Sequence, residues 1–204
     1  MIVKVCGMRN AQNIRDVESI GVDWMGFIFY PKSKRYVSVV PAYLPQNTKR
    51  IGVFVNDTVE NIKSISKEFQ LDIVQLHGDE SPDMCGQLSG DGFVVMKAFS
   101  VGDTFPVDKV ASYQQVCQYF LFDTHTSEYG GSGIKFDWRI ISDYKGDTPF
   151  MLSGGISVDD VKSIVKINHP ALLGVDINSC FEHEPALKNI SLIEQFIKQI
   201  KCNE

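Results

Sequence analysis

The sequence predicts an α/β protein in which eight parallel strands close into a barrel with helices outside it. Three observations predict this. Short apolar runs alternate with amphipathic or polar stretches eight times along 204 residues. The strand-length runs are continuously apolar, the pattern of strands buried on both faces. The segments between them are long enough for the crossover that parallel strands require. An eightfold β/α alternation closes into a (βα)8, or TIM, barrel. A doubly wound open sheet is the rival, but it would bind at one switch point and leave most strand ends without function. Eight such units leave no room for a second domain, so residues 1–204 read as one barrel domain.

The first strand is Ile2-Val3-Lys4-Val5-Cys6, rich in β-formers and broken at once by Gly7. Asn10 to Ile20 carries Ile14, Val17 and Ile20 at helical spacing, and Gly21 ends it. Trp24 to Phe29 is the second strand, followed by the polar loop Tyr30 to Tyr36. A short helix is expected over Pro41 to Pro45, kept short by its prolines. The third strand is Ile51 to Val55, and the helix Thr58 to Phe69 has Asp57 or Thr58 as N-cap. Ile73 to Leu76 is the fourth strand, and Ser81-Pro82 opens a helix through Met84, Cys85 and Leu88. Phe93 to Ala98 is the fifth strand, with a helix over Val107 to Val116. Tyr119 to Phe122 is the sixth, ending at Asp123-Thr124. The glycine-rich loop Thr126 to Gly133 then leads to a helix around Trp138 to Tyr144. The seventh strand is Pro149 to Leu152, followed by Ser153-Gly154-Gly155 and a helix over Val158 to Ile167, whose Asp159 and Asp160 suit its dipole. Leu172 to Ile177 is the eighth, and Ile190 to Ile200 forms the last helix.

Composition narrows the function. A net charge of −5 without runs of one sign points to neither nucleic acid nor an anionic membrane. No apolar run approaches the roughly 20 residues of a membrane span, and no secretory signal is readable. The cysteines (Cys6, Cys85, Cys117, Cys180 and Cys202) are odd in number, widely spaced and without a C-x-x-C pair. That pattern reads as reduced cytoplasmic thiols, not a disulfide framework or a zinc site. His77, Asp79, Glu80 and His125 lack ligand spacing, so no metal is expected. No long exposed apolar face is readable, and a monomer is expected.

Polar residues recur at the carboxyl ends of the strands: Cys6, Arg35 in the second loop, His77, Asp123, Ser153 and Asp176. In a closed barrel they meet at one rim, where ligands collect. Gly154-Gly155 after the seventh strand, with Asn178-Ser179 opening a short extra helix after the eighth, match the usual phosphate site of such barrels. Asp123 ends an otherwise apolar run, as either a structural cap or a general acid. Cys6 is either a small buried hydrophobe or the matching base. At pH 7 an ordinary thiol is only about 3% ionised and an ordinary carboxyl only about 0.1% protonated. A pair in those roles therefore needs protonation states set by its surroundings or by substrate binding, and Lys4 is a candidate cation for the thiol. Arg35 reads equally as a solvated loop residue and as a fork for a carboxylate or phosphate. His77 reads as a structural hydrogen bonder or a site residue.

At these residues the chain resembles the phosphoribosylanthranilate isomerase family over nearly its whole length. The resemblance is carried by Lys4-Val5-Cys6-Gly7, by Gly26-Phe27-Ile28-Phe29-Tyr30-Pro31-Lys32-Ser33-Lys34-Arg35-Tyr36 and by Val74-Gln75-Leu76-His77-Gly78. It continues through Phe122-Asp123-Thr124, Gly130-Gly131-Ser132-Gly133, Phe136-Asp137-Trp138, Leu152-Ser153-Gly154-Gly155 and Val175-Asp176. It implies an Amadori rearrangement of N-(5'-phosphoribosyl)anthranilate with no cofactor, Asp123 as acid and Cys6 as base. It further implies that Arg35 holds the anthranilate carboxylate, Asp176 a ribose hydroxyl, and the last two loops the phosphate. Two departures stand out. The family's Ser-Ser-Gly-Val-Glu appears as Asn178-Ser179-Cys180-Phe181-Glu182, so the backbone at Cys180 must avoid positive φ or tolerate strain. Its Pro-Gly-Lys-Asp stretch appears as Pro185-Ala186-Leu187-Lys188-Asn189. Other sugar-phosphate barrels are the enzymatic rivals. An epimerase would need metal ligands and a synthase a strand-end lysine, for which Lys97 is the one candidate. A degenerate barrel that only binds a phosphorylated metabolite would need neither Cys6 nor Asp123.

Overall fold

The computed structural model describes residues 1–124 and 137–202. The strands are β1 (Ile2–Cys6), β2 (Trp24–Ile28), β3 (Lys49–Phe54), β4 (Ile73–Leu76), β5 (Val95–Val101), β6 (Tyr119–Thr124), β7 (Phe150–Leu152) and β8 (Leu172–Ile177). They pair in sequence order, all parallel, and β8 returns to β1 to close the barrel, with Lys4 opposite Asp176. The open-sheet rival is excluded by that closing pair.

Among the described residues the helices are α1 (Ala11–Ser19), α2 (Val59–Phe69), α3 (Pro82–Gly90), α4 (Val107–Ala111), α5 (Val161–Ile164) and α6 (Ile190–Cys202), with 3-10 turns at Trp138–Asp143, Val158–Asp160 and Ser179–Phe181. Asn10, Thr58 and Ser81 cap the first three with side-chain oxygens that accept from Asn13, Asn61 and Met84. Thr58, not Asp57, is therefore the cap of α2. Their apolar stripes, such as Ile14 and Val17, are buried against the outer faces of the strands.

Several expected helices differ. Pro41–Pro45 is irregular: its prolines supply no N–H, and side chains from elsewhere hold the loop instead. The Glu18 carboxylate accepts from the amides of Gln46 and Asn47, both at 2.6 Å, while the Arg50 Nη2 donates to the Pro45 carbonyl at 2.7 Å. The helix expected over Val107–Val116 stops at Ala111, where the Ser112 hydroxyl donates to the Lys109 carbonyl at 2.8 Å and competes with the helical ladder. Trp138–Asp143 winds as a 3-10 helix. Val158–Ile167 divides into a 3-10 turn, closed by a Ser157–Asp160 capping box, and the four residues of α5. A small antiparallel pair, β9 (Glu182–Glu184) and β10 (Leu187–Lys188), was not foreseen. The expected loop Thr126 to Gly133, with His125 and Phe136, lies outside the described residues.

Side chains that alternate into the barrel fill it in layers. The lower interior holds Trp24, Ile51, Ile73, Met96, Leu121 and Met151. On β4, β6 and β7 the position two residues further along is polar, Gln75, Asp123 and Ser153; Lys4 of β1 and Asp176 of β8 join them, and Cys6 and His77 come two residues beyond Lys4 and Gln75. This change from apolar to polar positions the site.

Candidate active site

A cavity opens at the carboxyl end of the barrel. Its walls include Cys6, Gln75, His77, Asp123, Ser153, Asp176 and, from the last two loops, Gly154, Gly155, Asn178 and Ser179. Of the residues expected from sequence, only Arg35 stands outside the lining, although Tyr30 and Ser33 of its loop belong to it.

Cys6 ends β1 and is 6% exposed. It fits because Gly26 lies beside it: a Cβ at residue 26 would stand 2.7 Å from the Cys6 sulfur. Burial pushes the thiol up, and the Lys4 ammonium opposes that shift. Lys4 is fully buried, with Nζ 2.6 Å from the Asp176 Oδ2 and 2.8 Å from the Gln75 Oε1. Burial alone would lower Lys4, but Asp176 and Cys6 outweigh it and hold the lysine above its ordinary value, so it remains a cation. The other oxygen of Asp176, Oδ1, is buried and makes no hydrogen bond among the described residues. A buried acceptor on a cavity wall without a donor is costly unless a bound molecule supplies one.

Asp123 lies one residue before the end of β6, with its side chain 25% exposed. Its Oδ1 accepts from the Thr124 amide at 2.9 Å, and its Oδ2 stands 3.3 Å from the His77 Nε2. On the other side of the ring, Nδ1 lies 2.9 Å from the Gln75 Nε2. His77 thus stands between Gln75 and the carboxylate.

Gly154 and Gly155 have φ of 94° and 63°, and a Cβ at residue 154 would stand 2.1 Å from the Thr124 Oγ1. The tight left-handed turn therefore requires glycine. The amides of Gly154, Gly155 and Ser179 donate to no backbone carbonyl among the described residues, and all three residues line the cavity. Cys180 sits in the 3-10 turn and is not among the positive-φ residues, so of the two expected alternatives the backbone avoids positive φ.

Arg35 is 9% exposed and committed elsewhere. Its Nε donates to the Glu182 Oε1 at 2.9 Å and its Nη2 to Oε2 at 2.6 Å, leaving the Nη1 edge open among the described residues. Lys188 joins them, with Nζ 2.6 Å from the Glu182 Oε1 and 2.7 Å from the Asn178 Oδ1. The Asn178 side chain is thus occupied, and this residue shapes the loop. Lys97, the candidate for a rival chemistry, lies outside the cavity lining. Its ammonium donates to the carbonyls of Gly78 at 2.8 Å and Ala98 at 3.0 Å and pairs with Glu80 at 3.2 Å, so it secures the loop after β4.

Sequence reasoning missed Gln75 and Glu182 as site residues. The available signal was period two: Gln75 lies two positions before His77, as Lys4 does before Cys6, so each shares an inward face with a strand-end group.

Among the described residues no cluster of His, Cys, Asp and Glu could hold a metal, and no helix is long and apolar enough to cross a membrane.

A closed (βα)8 barrel with a thiol, a carboxylate and backbone amides that have no backbone partner among the described residues, all around one rim cavity, defines a class: barrels built for acid–base chemistry on a small anionic ligand. Residues 3–199 match the family model described as N-(5'-phosphoribosyl)anthranilate (PRA) isomerase. The chain belongs to this family. The N-(5'-phosphoribosyl)anthranilate isomerase of Phocaeicola vulgatus is 49% identical over 201 residues, covering 98% of each chain. The crystal structure of phosphoribosyl anthranilate isomerase from Thermotoga maritima superposes with a TM-score of 0.87 at 37% identity, covering 99% of this chain and 100% of that one. A phosphoribosyl anthranilate isomerase solved with reduced 1-(o-carboxyphenylamino)-1-deoxyribulose 5-phosphate is 33% identical, with a TM-score of 0.83 over 99% of this chain and 100% of that one.

Proposed function

We propose that this chain catalyses the Amadori rearrangement of N-(5'-phosphoribosyl)anthranilate to 1-(2-carboxyphenylamino)-1-deoxyribulose 5-phosphate, with Asp123 as general acid and Cys6 as general base. The Asp123 proton passes to the furanose ring oxygen, the C1–O bond breaks, and the anthranilate nitrogen lone pair forms a C1=N iminium. The iminium acidifies the C2 hydrogen, which the Cys6 thiolate removes to give an enolamine. Reprotonation at C1 and loss of the hydroxyl proton at C2 give the ketone. C1 is reduced and C2 oxidised within one molecule, so electrons balance without a cofactor.

One observation carries this reading: a buried thiol from β1 and a carboxylate from β6 line the same cavity. The orphaned Asp176 Oδ1 supports a ribose hydroxyl as its donor. The open amides of Gly154, Gly155 and Ser179 support phosphate binding. Glu182 orients Arg35 so that its Nη1 edge reaches the anthranilate carboxylate past Tyr30 and Ser33. His77 binds through Asp123, facing the sugar, and Asn178 through its backbone. The five free thiols support a reducing, cytoplasmic setting for the enzyme, which we take to act as a monomer on this small phosphorylated substrate.

The test is loss of substrate anthranilate fluorescence with purified protein. Cys6→Ala and Asp123→Asn should each lower kcat at least about 10²-fold while keeping affinity for a reduced product analogue. Wild-type turnover in either variant would remove that residue from its role.

A further inference from the structure

We propose that Gln75 is a positioning residue for this reaction: through Lys4 it fixes the tautomer of His77, so that an Nε2–H, not a lone pair, faces Asp123. This rests on the assignment of Asp123 as the acid.

The argument needs only donor and acceptor chemistry. Lys4 is a buried ammonium, and an ammonium can only donate. The Gln75 terminal atom 2.8 Å from its Nζ must therefore be the amide oxygen. This fixes the amide orientation, which is otherwise ambiguous. The other terminal atom is then the NH2 group, a pure donor, 2.9 Å from the His77 Nδ1. Nδ1 must accept and carries no proton. A neutral imidazole keeps its one N–H on the opposite nitrogen, Nε2, which stands 3.3 Å from the Asp123 Oδ2. That approach is long for a hydrogen bond, as catalytic contacts often are before substrate tightens the site.

The consequence falls on the first chemical step. When Asp123 gives its proton to the ring oxygen, negative charge develops on the carboxylate. The Thr124 amide already donates to Oδ1, and an Nε2–H supplies the second donor, aimed before the reaction begins. The opposite tautomer would set a lone pair against the same charge. Lys4 also pairs with Asp176 and lies beside Cys6. One buried cation thus anchors the relay that leads to the acid and faces the base. Gln75 is 1% exposed, and a glutamine has no packing reason to occupy that barrel position.

The experiment reads the tautomer directly, by 15N NMR of the histidine rings in the intact protein, with His77 assigned by the loss of its signals in His77→Asn. Wild type should show a protonated Nε2 and a bare Nδ1. In Gln75→Glu the new carboxylate still accepts from Lys4 but can only accept from His77, so the proton appears on Nδ1. There kcat per folded molecule should fall about 10-fold or more, with KM changed less than about 3-fold. Gln75→Met, which keeps the volume but offers no donor, should give mixed tautomers and an intermediate kcat; it decides the matter if Gln75→Glu does not fold. A wild-type proton on Nδ1 overturns the proposal, as does a moved proton with unchanged kcat. If Asp123→Asn keeps full turnover, the acid assignment fails instead, and the tautomer result still stands.

Discussion

The lower and upper halves of the barrel interior are built from the same strands and the same inward faces, yet on β4, β6 and β7 they differ sharply in chemistry. Along β4 the inward residues run Ile73, Gln75, His77; along β6, Leu121 then Asp123; along β7, Met151 then Ser153. One step of two residues, about 7 Å, separates an apolar plug from a hydrogen-bonded network. The plug contributes stability through burial alone. The upper half spends part of it, because Lys4 and Asp176 are charges held away from water. Stability and reactivity are thus divided by height in the barrel, not by segment of chain.

The strongest way to break that division is to cut the plug. Leu121 is fully buried, and Leu121→Ala should cost about 3 kcal/mol of stability, read from denaturant melts. Turnover per folded molecule should stay within about 2-fold. A large loss of kcat in the folded variant would show that the two layers are not separable.

A smaller effect sharpens the contrast at the rim. Burial pushes Glu182 up, but Arg35 and Lys188 outweigh it and hold the carboxyl below its ordinary value of 4.5. A carboxyl lowered in the folded state contributes stability above that ordinary value and loses it as pH falls through the folded one. The melting-temperature difference between wild type and Glu182→Gln should therefore be full near pH 6 and shrink on acidification below 4.5. A difference independent of pH would mean that Glu182 acts by shape and not by charge.

The smallest expected effect concerns Ala186, a non-glycine residue with a φ of 69°. A side chain in the left-handed region is strained. Ala186→Gly should gain roughly 0.5 kcal/mol, after the greater freedom of glycine in the unfolded chain is subtracted. A loss of stability would show that the β9–β10 turn has already relaxed.

Much of the site was legible because strand ends are. A polar residue after an apolar run in a β/α repeat has few places to go but the rim, which is how Cys6, His77, Asp123 and Asp176 were found. Gly154-Gly155 and the short turn at Ser179 were legible through their place after β7 and β8. The relay was not legible. Lys4 meets Gln75 and Asp176 across sequence separations of 71 and 172, and only barrel closure and register make them neighbours. The same is true of Arg35, whose partner Glu182 lies 147 positions away. The shortened helices were missed for a local reason: Ser112 competes for a helical carbonyl, a choice that periodicity does not record.

The central claim, that a thiol and a carboxylate from distant strands act on one pentose, is tested most directly by a crystal structure of this chain with the reduced product analogue. The Cys6 sulfur should lie within about 4 Å of C2 on one side of the sugar chain, and the Asp123 carboxylate within hydrogen-bond reach, about 3 Å, of a sugar oxygen on the other. An analogue bound with its phosphate away from Gly154 and Gly155, or with either group out of contact with the sugar, would contradict the account.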